Sequence, residues 1–212
     1  DNPSGVSNGF FGMGRGGYRK VFDAPTSWQG QKVLLEFEGV YMNAEVWLNQ
    51  HLLVRHPYGY TSFTADLTPY LQFGQKNALR VIVDNASQLN SRWYSGSGIY
   101  RPVWLIVAGQ VHVAQYGIYV TTPEVTAQSA TVRTRTLVQN ETESAQKVAV
   151  RSTIYSPEGV KIAAGEANLV LSTTGQAEAT QDLRVTSPLL WSVETPHLYR
   201  LETEIWVAGE IV

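Results

Sequence analysis

The chain has 212 residues, of which 43% are hydrophobic and 16% charged, so it is apolar enough to bury a core. Sixteen basic residues stand against 18 acidic ones, giving a formal net charge of −2 with no basic run. This balance argues against nucleic acid and against an anionic membrane surface as partners, because both require a basic patch. The absence of cysteine excludes disulfides, thiol nucleophiles and thiolate metal sites.

The two ends carry little information on where the protein works. No apolar run approaches the roughly 18 residues of a membrane-spanning helix. No charged-then-apolar leader opens the sequence. Because the chain begins at Asp1 without a methionine, we expect that something upstream was removed or omitted. A periplasmic or extracellular location is slightly favoured over a cytoplasmic one.

Alternation of apolar and polar residues with a period of two predicts strands through the first half of the chain. Residues 64–71 are compatible with one short helical turn, which Pro69 limits. No convincing amphipathic helix is present. The clearest strand runs are residues 18–22, 33–37, 44–48 and 79–83.

The second half repeats the strand pattern with a different composition, richer in Thr, Ala, Gln and Glu. A boundary near residues 109–117 therefore predicts two consecutive β-sandwiches, residues 1–112 and 113–212, and an all-β fold. The predicted strands of the second half are residues 132–138, 148–155, 160–164, 167–171, 181–185 and 199–207.

Two short segments carry turn predictions. In Ser156-Pro157-Glu158-Gly159, proline at the second and glycine at the fourth position is typical of a type I turn, so residues 148–164 are predicted to form a hairpin. At Asn49-Gln50 we expect a longer or different turn, because Gln resists the positive φ of a two-residue type I′ hairpin.

Residues 12–17 match the pattern G-x-G-x-x-G. Dinucleotide binding through this pattern requires a preceding strand and a following helix whose N-terminus meets the phosphates. Residues 18–22 are predicted to form a strand instead. We therefore interpret residues 12–17 as a flexible loop, and predict no cofactor.

Two carboxylate pairs have a spacing of interest for catalysis. Glu36 with Glu38, and Glu202 with Glu204, lie two residues apart on predicted strands, hence about 7 Å apart on one face. That distance is near one that glycosidases use. A solvated strand face explains the same pattern and is favoured. The four histidines show no spacing that would bring metal ligands together, so no metal site is predicted.

Residues 90–101 combine Arg, Trp and Tyr with two glycines. Aromatic rings stack on the apolar face of a pyranose, and guanidinium groups donate hydrogen bonds to its hydroxyls. The composition fits a sugar-binding loop, but on its own it slightly favours a structural loop whose aromatic residues belong to the core.

Four segments together resemble the front part of glycoside hydrolase family 2, the β-galactosidase-like enzymes. Residues 39–49, 56–63 and 92–101 are similar to its jelly-roll, sugar-binding domain. Residues 190–199 are similar to a motif near the end of its immunoglobulin-like second domain. The segments occur in the family's order, and they span nearly the whole chain.

The resemblance implies a jelly-roll domain over residues 1–112, incomplete at its N-terminal side, and an immunoglobulin-like domain over 113–212, whose C-terminal completeness stays open. It also implies a retaining glycosidase that works through two glutamates. Those glutamates belong to a (β/α)₈ barrel following the second domain, and the chain stops at Val212 before it. No catalytic residue is therefore expected here, and the chain alone is predicted to be inactive.

The resemblance further implies that the first domain contributes a loop to the active-site mouth. An aspartate two positions before the loop tryptophan is replaced here by Ser91. Arg92 and Trp93 remain the candidates for substrate contact, and Asn2 is a third because residues 1–3 resemble a segment near the sugar.

The expected partners are a carbohydrate, β-galactoside by default, and the barrel; a homo-oligomer stays open. Galactosidases, glucuronidases and mannosidases share these two domains. A stand-alone carbohydrate-binding module is the main alternative, because it would use the same aromatic residues without catalysis. A purely structural or adhesive pair of sandwiches is a third reading.

Overall fold

The computed structural model describes residues 14–86 and 96–212. The chain divides into two compact units, Asp1–Ala108 and Gly109–Val212. The helical segments described are two short 3-10 turns, Thr26–Trp28 and Thr68–Tyr70, and neither is long or apolar enough to span a membrane. The predicted all-β fold is confirmed.

The first unit is a jelly-roll sandwich of nine described strands. They are β1 Arg15–Asp23, β2 Lys32–Phe37, β3 Val40–Tyr41, β4 Ala44–Leu48, β5 His51–His56, β6 Phe63–Asp66, β7 Lys76–Asp84, β8 Gly98–Ile99 and β9 Val103–Ala108. One sheet has the order β1-β7-β4-β5 and the other the order β6-β2-β9, while β3 pairs with β8.

The core of the first unit follows directly from the alternation in sequence. In β4, Ala44, Val46 and Leu48 are buried, whereas Glu45 and Trp47 lie on the other face of the sheet. Burial of each large aliphatic side chain contributes roughly 1.5–3 kcal/mol, which fixes the register of the strand. The residues 15–17 of the glycine-rich pattern begin β1 rather than forming the expected loop, and a strand follows them instead of a helix.

The turn prediction at Asn49-Gln50 is wrong. Both residues have positive φ, 47° and 76°, and they join β4 to β5 directly, as in a type I′ hairpin. The reason is tertiary. The Asn49 amide donates to Oδ1 of Asn77 (2.7 Å) and to the Tyr70 carbonyl (3.0 Å), while its oxygen accepts from the Ala78 N–H (2.9 Å). These bonds offset the strain at Gln50.

The second unit is an immunoglobulin-like sandwich of seven strands. They are β10 Val111–Val125, β11 Ser129–Asn140, β12 Gln146–Tyr155, β13 Lys161–Leu171, β14 Gln176–Thr186, β15 Arg200–Val207 and β16 Glu210–Ile211. The sheets have the orders β10-β11-β14 and β13-β12-β15-β16. The predicted strands 160–164 and 167–171 are one strand, β13, which begins one residue later, at Lys161.

The predicted turn at residues 156–159 is confirmed. The Gly159 N–H donates to the Ser156 carbonyl (2.9 Å), and β12 pairs with β13 on either side. Gly159 has φ +83°, which ends the turn in the left-handed region that glycine tolerates.

A layer of polar side chains divides the core of the second unit. Seven buried apolar residues form one cluster, and Ile154, Leu183 and Val185 form another. Between the sheets the hydroxyls of Thr134, Thr136, Ser152 and Thr203 and Oε1 of Gln181 have no hydrogen-bond partner among the described residues. The Gln181 amide donates to the Val150 carbonyl (2.8 Å).

Replacing Thr134 by Val should stabilise the second unit by about 1 kcal/mol, because it removes a buried hydroxyl without a partner. Thr134 is completely buried. Chemical unfolding of the variant measures the change. The matched control is Thr180→Val on the exposed face of β14, which should shift stability by less than about 0.5 kcal/mol. A loss of stability in Thr134→Val would show that the hydroxyl is hydrogen-bonded, for example to internal water.

Asp66 links β6 to β2 and to the following turn. Its carboxylate pairs with Lys32 (2.9 Å) and accepts from the Thr68 N–H (3.0 Å). Burial raises the pKa of this carboxyl, but the bonds from Lys32 and Thr68 outweigh burial and hold the pKa below its ordinary value.

A depressed native pKa stabilises the fold above the unfolded-state pKa, near ~3.9, and this stabilisation disappears as the pH falls through the native value. Asp66→Asn should therefore cost about 0.5–1 kcal/mol at neutral pH and progressively less in acid. Urea unfolding across this pH range measures it, with Asp23→Asn at the exposed end of β1 as control. A cost independent of pH would contradict the ionic contribution.

Candidate functional site

Four tyrosines meet at one end of the first unit and form what we call the tyrosine cluster, Tyr41, Tyr58, Tyr60 and Tyr100. The Tyr60 ring lies edge-on to Tyr41, with centroids 5.3 Å apart, and to Tyr58, 5.7 Å apart. Tyr41 is buried, whereas Tyr58, Tyr60 and Tyr100 are 57%, 44% and 42% exposed. The cluster therefore exposes three tyrosine rings to solvent beside the buried ring of Tyr41.

Glycines allow these rings to lie directly against the backbone. A Cβ on Gly39 would lie 2.6 Å from the Tyr100 ring, and a Cβ on Gly59 would overlap the Tyr41 ring. The Tyr100 hydroxyl donates to the Gly59 carbonyl (2.8 Å). The structure thus brings together three segments on which the family resemblance rests, residues 39–49, 56–63 and the end of 92–101.

The segment between β5 and β6 is held by His56. Its ring stacks on Phe63, with centroids 4.3 Å apart, and its Nε2 lies 3.0 Å from Oγ1 of Thr61.

Arg101 lies over the Tyr100 ring at 5.4 Å, so a cation stands beside the tyrosine cluster. Aromatic faces and a guanidinium are the groups that bind a pyranose ring and its hydroxyls.

Asn85 joins two segments of the first unit through its side-chain amide. This residue is 3% exposed, its Oδ1 accepts from the Gly14 N–H (3.0 Å), and its Nδ2 donates to Oγ of Ser97 (2.5 Å). Residues 1–13 and 87–95 join the described part of the chain at these positions. Asn85 is thus a structural amide linking both junctions.

The predicted substrate-contacting residues Arg92, Trp93 and Asn2, together with Ser91, lie outside the described residues. The structure therefore neither supports nor contradicts their role. What it describes is the tyrosine cluster and the hydrogen bonds of Asn85.

The two carboxylate pairs have structural roles. Glu36 is 8% exposed, so it does not lie on the solvated face that was predicted, and Glu38 accepts from Nε1 of Trp104 (2.7 Å). Glu202 pairs with Arg200 on β15. Glu204 accepts from Nε1 of Trp206 (3.1 Å). Glu38, Glu202 and Glu204 thus bond to tryptophan or arginine side chains, as in a structural sheet surface.

The shifted carboxyl pKa values point the same way. Hydrogen bonds from Arg55 and then from Trp47 hold the pKa of Glu45 below its ordinary value. The Arg133 guanidinium does the same for Asp182, with two contacts of 2.7 Å. A general acid needs a raised pKa so that it stays protonated. These carboxylates are ionised members of surface ion pairs instead.

No group of three or more potential metal ligands occurs within residues 14–86 and 96–212. Three of the four histidines described there take part in packing or hydrogen bonds: His56 as above, His51, which stacks on Tyr70 at 4.2 Å, and His112, whose Nδ1 lies 2.8 Å from the Gly109 carbonyl.

Reasoning from sequence missed the tyrosine cluster. Its signal was present in Tyr58-Gly59-Tyr60 and in the pairing of glycine with tyrosine at residues 98–100. A glycine flanked by aromatic residues outside a turn indicates a ring packed on backbone, but the partner of each ring depends on strands that are distant in sequence.

Comparison with known proteins agrees with the fold. The model for the sugar-binding domain of glycosyl hydrolases family 2 matches residues 10–109, and a second model, glycosyl hydrolases family 2, matches residues 111–212. The chain is 44% identical over 211 residues to β-galactosidase BoGH2A of Bacteroides ovatus, covering 97% of this chain and 24% of that protein. It is 27% identical to a β-glucuronidase of Bacteroides fragilis, covering 93% of this chain and 30% of that protein.

Solved structures give the same result. A glycosyl hydrolase family 2 member from Bacteroides cellulosilyticus superposes with a TM-score of 0.93 at 33% identity, covering 100% of this chain and 27% of that one. A β-glycosidase from Bacteroides vulgatus gives 0.86 at 36% identity, covering 100% and 26%.

The two sandwiches and their order are those of the sugar-binding domain and the domain that follows it in this family. The chain belongs to glycoside hydrolase family 2, and it spans about a quarter of the length of the relatives it matches.

Substitution of Gly98 tests how much the first unit depends on the close approach of Tyr18 to the backbone. Gly98 has φ +92°, and a Cβ there would overlap the hydroxyl of Tyr18, which accepts from the Ile99 N–H (3.2 Å). Gly98→Ala should cost about 2–3 kcal/mol, the sum of backbone strain and steric overlap. The control is Gly30→Ala, with φ +80° and no atom within 4 Å, which should cost about 1 kcal/mol. Equal costs in chemical unfolding would show that Tyr18 moves aside freely.

Proposed function

We propose that this chain is the non-catalytic N-terminal part of a retaining β-glycosidase that cleaves O-glycosidic bonds in carbohydrate metabolism. The observation that carries the proposal is the ordered match of both family 2 domains across residues 10–109 and 111–212. The relatives that share these domains extend well beyond the matched part. In this proposal a (β/α)₈ barrel in the same protein supplies the two catalytic glutamates.

A β-galactoside is the proposed substrate. The support is the β-galactosidase of Bacteroides ovatus at 44% identity, against the β-glucuronidase of Bacteroides fragilis at 27%. The first domain would contribute a loop to the active-site mouth, with Arg92 and Trp93 contacting the sugar and Asn2 as a third candidate. The tyrosine cluster supports this role, because Tyr100 follows the loop closely in sequence and the cluster exposes aromatic rings to solvent.

Reading the gene beyond the Val212 codon is the decisive experiment. An open frame that continues for several hundred residues with a barrel pattern is the expected result. A stop codon soon after would contradict the proposal and favour the alternative, a stand-alone carbohydrate-binding module.

The purified 212-residue chain should not hydrolyse 4-nitrophenyl β-galactoside, because in this proposal both catalytic glutamates belong to the barrel. The full-length protein should hydrolyse it, and faster than the corresponding β-glucuronide. Turnover by the isolated chain that persists after rigorous purification would overturn the assignment of catalysis to another domain. Preference for the glucuronide would overturn only the proposed substrate.

In the full-length enzyme, Arg92→Gln should raise KM or lower kcat, by roughly tenfold if one charge-assisted hydrogen bond to the sugar is lost. Arg184→Gln is the matched control, because Arg184 is an exposed arginine on β14 of the second unit that the proposal does not place on the substrate. If both variants keep wild-type kcat and KM, the loop has only a structural role.

A further inference from the structure

We infer that the outer face of the second unit carries a separate binding site for a pyranose with an anionic substituent. The site is a depression of about 410 Å³ on the sheet β13-β12-β15-β16. This volume lies within the roughly 300–1,000 Å³ of small-molecule sites. The inference does not depend on the proposed glycosidase activity, because all its residues lie in the immunoglobulin-like unit.

The depression exists because a small residue sits between larger ones. Ala149 lies on the outward face of β12, and its register neighbours are Asn168 on β13 and Trp206 on β15. Outward side chains from three strands thus surround a floor without a large side chain. Val170, 69% exposed, forms the far wall.

Trp206 is held as a fixed aromatic wall. Its Nε1 donates to Glu204 (3.1 Å), and the guanidinium of Arg151 lies 4.0 Å from its ring centroid. Arg151 is fixed in turn by Glu166 (2.7 Å). One face of the indole is therefore covered, and the rest of the ring lines the depression. A preorganised ring binds a pyranose without the entropic cost of ordering a mobile side chain.

The polar groups around the indole determine the class of ligand. Lys147 and Asn168 are exposed, and the structure gives their side chains no hydrogen bond or ion pair with other described residues. The ten residues that line the depression include Lys147 and Arg151 and no carboxylate, and because Arg151 is paired with Glu166, Lys147 supplies the uncompensated positive charge. This charge complements a sugar bearing a carboxylate or a sulfate, and the Asn168 amide can bond a hydroxyl.

A second tryptophan in the chain provides a useful contrast. Trp47 also lies beneath an arginine, Arg80, at 5.1 Å, but its depression measures about 260 Å³, below the usual range for ligand sites. The outer face of the second unit is therefore the better binding surface.

Titrating the 212-residue chain with three oligosaccharide probes, one of uronic acid, one sulfated and one neutral, tests the inference by calorimetry. Binding of either anionic probe should exceed binding of the neutral one, and the two anionic arms distinguish carboxylate from sulfate recognition. Trp206→Ala should weaken binding roughly tenfold, through loss of the aromatic wall. Lys147→Gln should weaken it roughly threefold or more and leave the fold intact, because Lys147 is exposed.

Trp191→Ala is the matched control, because Trp191 is a 60% exposed tryptophan of the same unit that lies outside the depression. Unchanged affinity in Lys147→Gln, equal binding of the neutral probe, or no binding by the parent chain would overturn the inference. None of these outcomes bears on glycosidase activity, which the assays of the full-length protein measure separately.

Discussion

The end of the first unit depends on one steric constraint, the absence of side chains at positions where tyrosine rings meet the backbone. Because Gly39 and Gly59 have no Cβ, the rings of Tyr100 and Tyr41 lie directly against the main chain at these positions. A Cβ at either glycine would occupy the space of the ring. The hydrogen bond from Tyr100 to the Gly59 carbonyl then fixes the geometry. Without this close approach, the segments that resemble family 2 could not converge at one end of the sandwich.

The second unit uses charge differently. Arg133 with Asp182 and Arg151 with Glu166 are direct cross-strand neighbours, joined by contacts of 2.7 Å. Each pair is exposed, so its contribution to stability is small, about 0–1 kcal/mol. Opposite charges facing each other penalise a slipped register, in which like charges or apolar residues would be opposed. These pairs therefore specify the register of long strands whose core contains an unsatisfied polar layer.

Much of the fold could be predicted, because period-two alternation is a local property of the chain. Residues 33–37, 44–48 and 79–83 lie in strands for the reason that the pattern suggested: one face is buried. The failure at Asn49-Gln50 has a non-local cause. The propensity of Gln disfavours this turn. Hydrogen bonds from Asn49 to Asn77 and Ala78, which lie nearly thirty residues further along the chain, stabilise it nonetheless.

The site was less predictable than the fold. Arg92, Trp93 and Asn2 were chosen by resemblance and lie outside the described residues, so they stay predictions. The tyrosine cluster was missed because its rings are brought together by antiparallel pairing that composition does not reveal. The depression beside Trp206 likewise depends on which residues face each other across three strands. Local sequence specified the side chains but not their neighbours.

The side chain of Asn85 links two stretches of the chain that are distant in sequence. Because its amide oxygen is bonded at Gly14 and its amide nitrogen at Ser97, a substitution there releases both junctions together. Variation near residue 14 and variation near residue 97 should therefore be epistatic, with the effect of either depending on whether Asn85 is intact. Evolution or engineering of one stretch is constrained by the other, although they are about eighty residues apart.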